Sequence, residues 1–429
     1  MTFKRTMKSL MIALLGMGLV ACDDDSDNDQ PTAQVRVVHA SPDAPAVDVL
    51  LNDNVVLEDV EYQGVSGYLN VPTGVRTSNT FKVNVANTST TVIEQAAELE
   101  TNSQYTILAV NNVSAIEPLV LLDDTSAPAS GNLKVRVLHA SPSAGSVDIY
   151  VTAPSDALNS PTLSNVPFKT ASDYLEVPAG DYRVRVTATG SSSVVYDSGT
   201  VALPSGAIYT LAAVNATKGT SPISLLGLTG ESSAPSFLLL DTNARVRAIH
   251  LSYDAPNVDI YANGGLAFGN VAFRAASSYA TLGSGDVTVD ITIAGDVNPY
   301  RTLNTTLSPS EDYTVLALNT AANLEALPVV DDNSAPAAGN TKFRVVHASP
   351  EAPAVDILIN DNVLLSGVEF RGVSGYTEAP AGTYNVKVQA AGGGATVIDV
   401  DVPLNAGTIY TVIAANELAS IEPLLIQDN

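Results

Sequence analysis

The chain has 429 residues, 45% of them hydrophobic, a formal net charge of −25 and one cysteine. This length and apolar content exclude a disordered chain and allow several domains with their own cores. The charge would repel a phosphate backbone, so no nucleic-acid partner is expected, and one cysteine excludes both an intrachain disulfide framework and a cysteine-built metal site.

The chain begins with a basic stretch, Lys4, Arg5 and Lys8, followed by an apolar run from Leu10 to Val20 that is short for a bilayer span. That run ends in Leu19-Val20-Ala21-Cys22, which resembles the bacterial lipobox. The resemblance implies a lipoprotein signal peptide over residues 1–21 and acylation of Cys22. It further implies export, and a membrane partner held through the lipid anchor on the periplasmic or surface side of the cell envelope. Residues 22–32 contain Asp23-Asp24-Asp25-Ser26-Asp27-Asn28-Asp29 and read as a self-repelling acidic tether.

Beyond the tether one motif occurs four times. Val35-Arg36-Val37-Val38-His39-Ala40-Ser41-Pro42 returns around His139, in altered form around His250, and again around His347, and these are the only four histidines. A period near one hundred residues suits a whole domain rather than a solenoid unit. Asp48, Asp148, Asp259 and Asp356 follow the histidines at a fixed distance. Tyr68, Tyr174, Tyr279 and Tyr376 each have a serine two residues earlier, and Tyr-Thr runs end at Asn111, Asn215, Asn319 and Asn416. The repeats are placed at residues 33–125, 133–230, 243–332 and 341–429. The Ser-Ala-Pro linkers between them are short enough that neighbours should touch. Repeat 2 carries an insertion from Ala153 to Pro161.

Within repeat 1 the apolar runs predict strands near Val35–Ala40, Val47–Leu51, Val55–Val60, Tyr68–Val71, Phe81–Asn87, Val92–Leu99, Tyr105–Val110 and Ile116–Leu122. Asn52-Asp53-Asn54 supplies a hairpin turn. Both faces of the first run are largely apolar, which predicts a strand covered on both sides. Short strands and no amphipathic helix give an all-β chain of four tandem immunoglobulin-like or transthyretin-like β-sandwich domains. The opening motif, the Val47-Asp48 pair, the Tyr68 region and the Tyr-Thr run resemble domain-of-unknown-function family 4397, found in exported bacterial proteins, often in tandem. The resemblance covers Val35 to the end and implies fold and location, but no catalytic residue.

His39, Ser41 and Asp48, with their three sets of equivalents, have the residue types of a Ser–His–Asp triad. However, no Gly-x-Ser-x-Gly elbow presents a nucleophile, and at three sites the serine precedes proline. The expectation is therefore a structural motif and no enzyme. Arg36 is expected to pair with Asp48, Arg136 with Asp148, Arg247 with Asp259 and Arg344 with Asp356, while each repeated tyrosine makes a corner hydroxyl bond. No cofactor is expected. Asp123, Asp124, Asp331 and Asp332 at the junctions are the candidate ligands for calcium. The expected role is display, adhesion or binding of an unknown protein or carbohydrate ligand, with the loop near Asp156 as a candidate contact. A passive spacer and a hydrolase built on the His, Ser and Asp sets are the alternatives.

Overall fold

The computed structural model describes residues 30–428 apart from 75–78, 220, 232, 297 and 338. The expected export signal, Cys22 and the acidic run therefore lie outside the described residues. Among these no helix is long and apolar enough to cross a membrane.

Repeat 1 has eight strands: β1 (Thr32–Ala40), β2 (Val47–Leu51), β3 (Asn54–Val60), β4 (Leu69–Pro72), β5 (Asn79–Val85), β6 (Thr91–Ala97), β7 (Gln104–Val110) and β8 (Glu117–Asp123). They form two four-stranded sheets, ordered β4-β1-β7-β8 and β3-β2-β5-β6. The other repeats copy this order, giving the expected all-β chain of sandwich domains. The hairpin between β2 and β3 turns at Asn52 and Asp53, with φ of 52° and 64°, a conformation these short polar side chains tolerate.

One pairing places the recurrent residues. β1 runs antiparallel to β4 but parallel to β7, with Arg36 beside Thr106 and Val35 beside Tyr105. The His strand and the Tyr-Thr strand are thus hydrogen-bonded neighbours in every repeat. Val35 and Val37 point into the sandwich core with Val49, Val71, Phe81 and Tyr105. Val38 and Ala40 point the other way, as the two-residue strand period demands.

The cover on that second face is another repeat. Val38, Ala40, Leu108 and Val110 of repeat 1 share one buried cluster with Leu138, Ala140, Ala212, Val214, Leu226 and Leu228 of repeat 2. Ile249, Leu251, Leu316 and Leu318 of repeat 3 join Val346, Ala348, Ile413 and Ala415 of repeat 4 in the same way. The repeats therefore pack as two pairs, 1 with 2 and 3 with 4, through equivalent surfaces, in the manner of an isologous dimer held in one chain.

A ninth strand, Ser236–Leu239, follows the linker after repeat 2 and adds to the edge of that repeat's sheet beside Ile223–Leu228. The Phe237 ring lies on Gly227, where an added Cβ would sit 2.2 Å from the ring, so this close approach requires glycine. Tyr196 donates its hydroxyl to Leu239 O at 3.1 Å, and Lys218 pairs with Glu311 at 2.6 Å; both tie repeat 2 to the segment leading into repeat 3 and to repeat 3 itself.

Candidate functional site: the recurrent polar residues

The histidine sits at the end of β1 and its equivalents, 0–1% exposed in all four repeats. The Ser41 N–H donates to His39 Nδ1 at 3.3 Å, so the proton is on Nε2, which donates to Pro45 O at 3.1 Å. His139, His250 and His347 repeat this with Gly145, Pro256 and Pro353. Each ring meets an aromatic edge-on, Tyr62, Phe168, Phe273 or Phe370, at centroid distances of 6.0–6.4 Å. The imidazole thus closes the loop that leads to β2. Burial pulls all four below the usual histidine value, against the opposing carbonyl bond.

A triad would need the serine hydroxyl on the imidazole. Ser141 Oγ instead donates to Asn215 Oδ1 at 2.5 Å. The hydroxyls of Ser41, Ser252 and Ser349 are buried without a hydrogen-bond partner. It is the serine backbone, not the side chain, that meets the ring. Asp48 is also elsewhere, so the three residue types do not converge as a nucleophile, base and orienter must.

The expected Arg36–Asp48 pairing is corrected, as are its three counterparts Arg136–Asp148, Arg247–Asp259 and Arg344–Asp356. Arginine and aspartate lie on different sheets. Asp48 accepts the N–H of Asp59 at 2.8 Å and of Asn87 at 3.0 Å. Asp148 does the same for Asn165 and Gly190, Asp259 for Asn270 and Gly295, and Asp356 for Gly367 and Gly392. Asp59, Asn165, Asn270 and Gly367 have φ of 53–66° at an irregularity in the β2–β3 ladder, where a backbone donor loses its strand partner. These N–H bonds lower the Asp148 and Asp259 carboxyls. For Asp356 the Ser366 hydroxyl leads, with the same backbone bonds behind it. Replacing Asp48 by Ala is expected to cost about 1 kcal/mol for each of the two bonds. Amide exchange at Asp59 and Asn87 should accelerate while β1 and β7 stay protected; unchanged exchange at both would refute the role.

The arginines instead face the neighbouring repeat. Asp331, the last residue of its strand, accepts Arg344 Nη2 at 2.5 Å from repeat 4, and Thr314 Oγ1 at 2.6 Å and Tyr279 Oη at 2.5 Å from its own repeat. Asp428 reciprocates, accepting Arg247 Nη2 at 2.6 Å from repeat 3, with Thr411 at 2.7 Å and Tyr376 at 2.8 Å. In the first pair Asp123 accepts Arg136 Nη2 at 2.5 Å, Thr106 at 2.6 Å and Tyr68 at 2.8 Å. Each guanidinium also lies over the tyrosine of its own repeat, 4.7–5.0 Å from the ring centroid. Burial pushes the Tyr68, Tyr279 and Tyr376 phenols up, keeping them neutral donors. The expected tyrosine corner is thus a carboxylate bond in repeats 1, 3 and 4. The serine two residues before the tyrosine serves β1 instead, where Ser66 Oγ accepts the Val37 N–H at 2.8 Å.

The four junction carboxylates named for calcium are committed to cationic side chains. Asp123 and Asp331 are buried among the arginines, Asp124 pairs with Lys134 at 2.6 Å, and Asp332 with Lys342 at 3.1 Å. The Lys134 hydrogen bond, aided by Ser126, holds the Asp124 carboxyl down at about 2. Among the described residues no three His, Cys, Asp or Glu side chains group as a metal site. The insertion near Asp156 folds back on its own sheet, where Arg185 Nη2 donates to Asp156 O at 2.8 Å and Arg183 Nη1 to Pro154 O at 3.2 Å.

Comparison with known families gives one match, described as a domain of unknown function (DUF4397), over residues 33–150, 151–261, 244–358 and 342–429. The chain belongs to this family. No curated protein matches it. Among solved structures, the Bacillus anthracis TIE protein aligns at 13% identity and a TM-score of 0.17, over 89% of this chain and 68% of that one. A structure titled "Alpha-glucan binding by a streptococcal virulence factor" aligns at 12% identity and 0.17, over 42% and 93%. The pneumococcal glycogen-degrading virulence factor SpuA aligns at 10% and 0.16, over 85% and 37%. Likeness at this level carries no argument about function.

Proposed function

We propose that this DUF4397 chain is an exported, lipid-anchored envelope protein whose paired sandwiches display a binding surface, without catalysis, to a protein or carbohydrate ligand. The observation that supports this reading is where the recurrent side chains go. The histidine, arginine and aspartate of every repeat are engaged in loop closure, turn locking or repeat pairing. What remains open to a ligand is loops held on a rigid frame, the usual place for binding residues. Two doublets in one chain would also give multivalent contact at no further entropic cost of assembly. Cys22 followed by acidic residues supports an anchor and a spacer that stands the frame off the membrane.

The anchor is tested by metabolic labelling with an alkyne fatty acid and by membrane fractionation. The wild-type chain is expected to label and to sediment with membranes, and Cys22→Ser to do neither. A Cys22→Ser variant that still labels or sediments overturns the anchor. The display role is tested by screening the purified chain on glycan arrays and against envelope extracts, with ester and glycoside substrates as controls. Turnover lost in His39→Ala, with the fold intact, would favour the hydrolase reading instead.

A further inference from the structure

The two pairs of repeats differ at one seat. Three of the four repeats carry a buried aspartate here: Asp123 and Asp331 end their strands, and Asp428 directly follows the strand that ends at Gln427. In repeat 2 the register puts Gly230 there: Thr210 pairs with Leu228 as Thr411 pairs with Ile426, and the seat lies two residues beyond. An added Cβ at Gly230 would meet nothing within 4 Å.

The groups that surround this seat are unchanged. Arg36 is 3% exposed and donates Nη1 to Thr229 O, as Arg247 does to Gln427 O. In the second pair the Arg247 Nη2 then finds Asp428 at 2.6 Å; among the described residues the Arg36 Nη2 finds only Asp123, at 3.6 Å, which is already bonded to Arg136 at 2.5 Å. Tyr174 and Thr210, whose counterparts Tyr376 and Thr411 donate to Asp428, face each other at 3.4 Å. Among the described residues the first interface thus encloses two guanidiniums and one carboxylate, where the second encloses two of each. A buried cation with a missing counter-charge is strongly unfavourable.

We propose that the seat formed by Arg36 Nη2, Tyr174 Oη and Thr210 Oγ1 beside Gly230 binds a small monovalent anion such as chloride. The anion takes the place that the Asp428 carboxylate holds in the other pair, and it bridges repeats 1 and 2. Its binding stabilises the first pair and leaves the second untouched.

The test is hydrogen exchange on the purified full chain. Sodium gluconate, whose anion is bulkier than chloride, is exchanged for sodium chloride at constant ionic strength. Binding to the folded form alone slows exchange by the factor one plus ligand concentration over Kd, so a Kd of tens of millimolar gives roughly three- to ten-fold slowing at 0.1 M. The slowing is expected in β1, β7 and their repeat 2 equivalents, with repeats 3 and 4 as the internal control. Gly230→Asp should slow exchange there without chloride and abolish the chloride response. No chloride effect, an equal effect in both pairs, or an effect that persists in Gly230→Asp overturns the proposal. So does a gluconate baseline that collapses in Glu231→Gln, because the chain's own neighbouring carboxylate would then fill the seat.

Discussion

Replacing Asp123 by Asn is expected to destabilise repeats 1 and 2 together by about 3–5 kcal/mol, the cost of stranding buried charge. The Asp123 side chain is 3% exposed and is the carboxylate that faces both Arg36 and Arg136. Thr106 and Tyr68 would lose an ionised acceptor in the same step. Asp331→Asn should cost less, because Arg247 keeps Asp428 at 2.6 Å. Exchange protection read strand by strand separates the two pairs within one chain. Asp123→Asn should deprotect β1, β7 and their repeat 2 equivalents while the second pair stays closed. Loss confined to repeat 1, or a cost below that of Asp48→Ala, would mean that the ionic cluster does not hold the pair together.

Stability should also fall steeply on mild acidification. The four imidazoles are buried, neutral and held by a donor on one nitrogen and a carbonyl on the other. Their folded-state pKa values lie below the usual one, so the unfolded chain takes up protons first as pH falls. The contribution is complete above about 6.5 and is lost as pH drops from there toward the folded value, at up to about 1.4 kcal/mol per pH unit for each histidine. Two histidines per pair double that slope to roughly 2.7 kcal/mol per unit for a pair that unfolds as one. The depressed Asp148, Asp259 and Asp356 carboxyls act in a lower window, because their stabilisation is present above an unfolded value near 3.9 and disappears below it. Denaturant titrations between pH 7.5 and 5, with imidazole shifts followed by NMR, check the sign. Histidines that titrate near 6.5 in the folded chain, with a flat stability profile, would refute it.

Much of the repeat is written locally. Alternating apolar runs and turn residues such as Asn52 and Asp53 place all eight strands of repeat 1 within a few residues of where they lie. The two-sided apolar character of Val35 to Ala40 correctly demands two covers for β1, because strand side chains alternate between faces whatever the partner is. The identity of the second cover is not local. Nothing in that run says that it is the same strand of the next repeat, since an apolar face is equally satisfied by any apolar surface.

The polar partners show the same division. Asp48 is near Arg36 in sequence and suits a salt bridge, yet it lies on the other sheet and holds backbone donors. The arginine's carboxylates are set by the parallel β1–β7 pairing, which brings the end of β8 to the repeat interface, and by the docking of one repeat on the next. The sequence by itself determined the repeats, their strands and which faces must be buried, because those follow from short-range periodicity and turn chemistry. Only the tertiary structure decided which charges meet, because a buried ion pair is chosen by where two sheets come together, not by spacing along the chain.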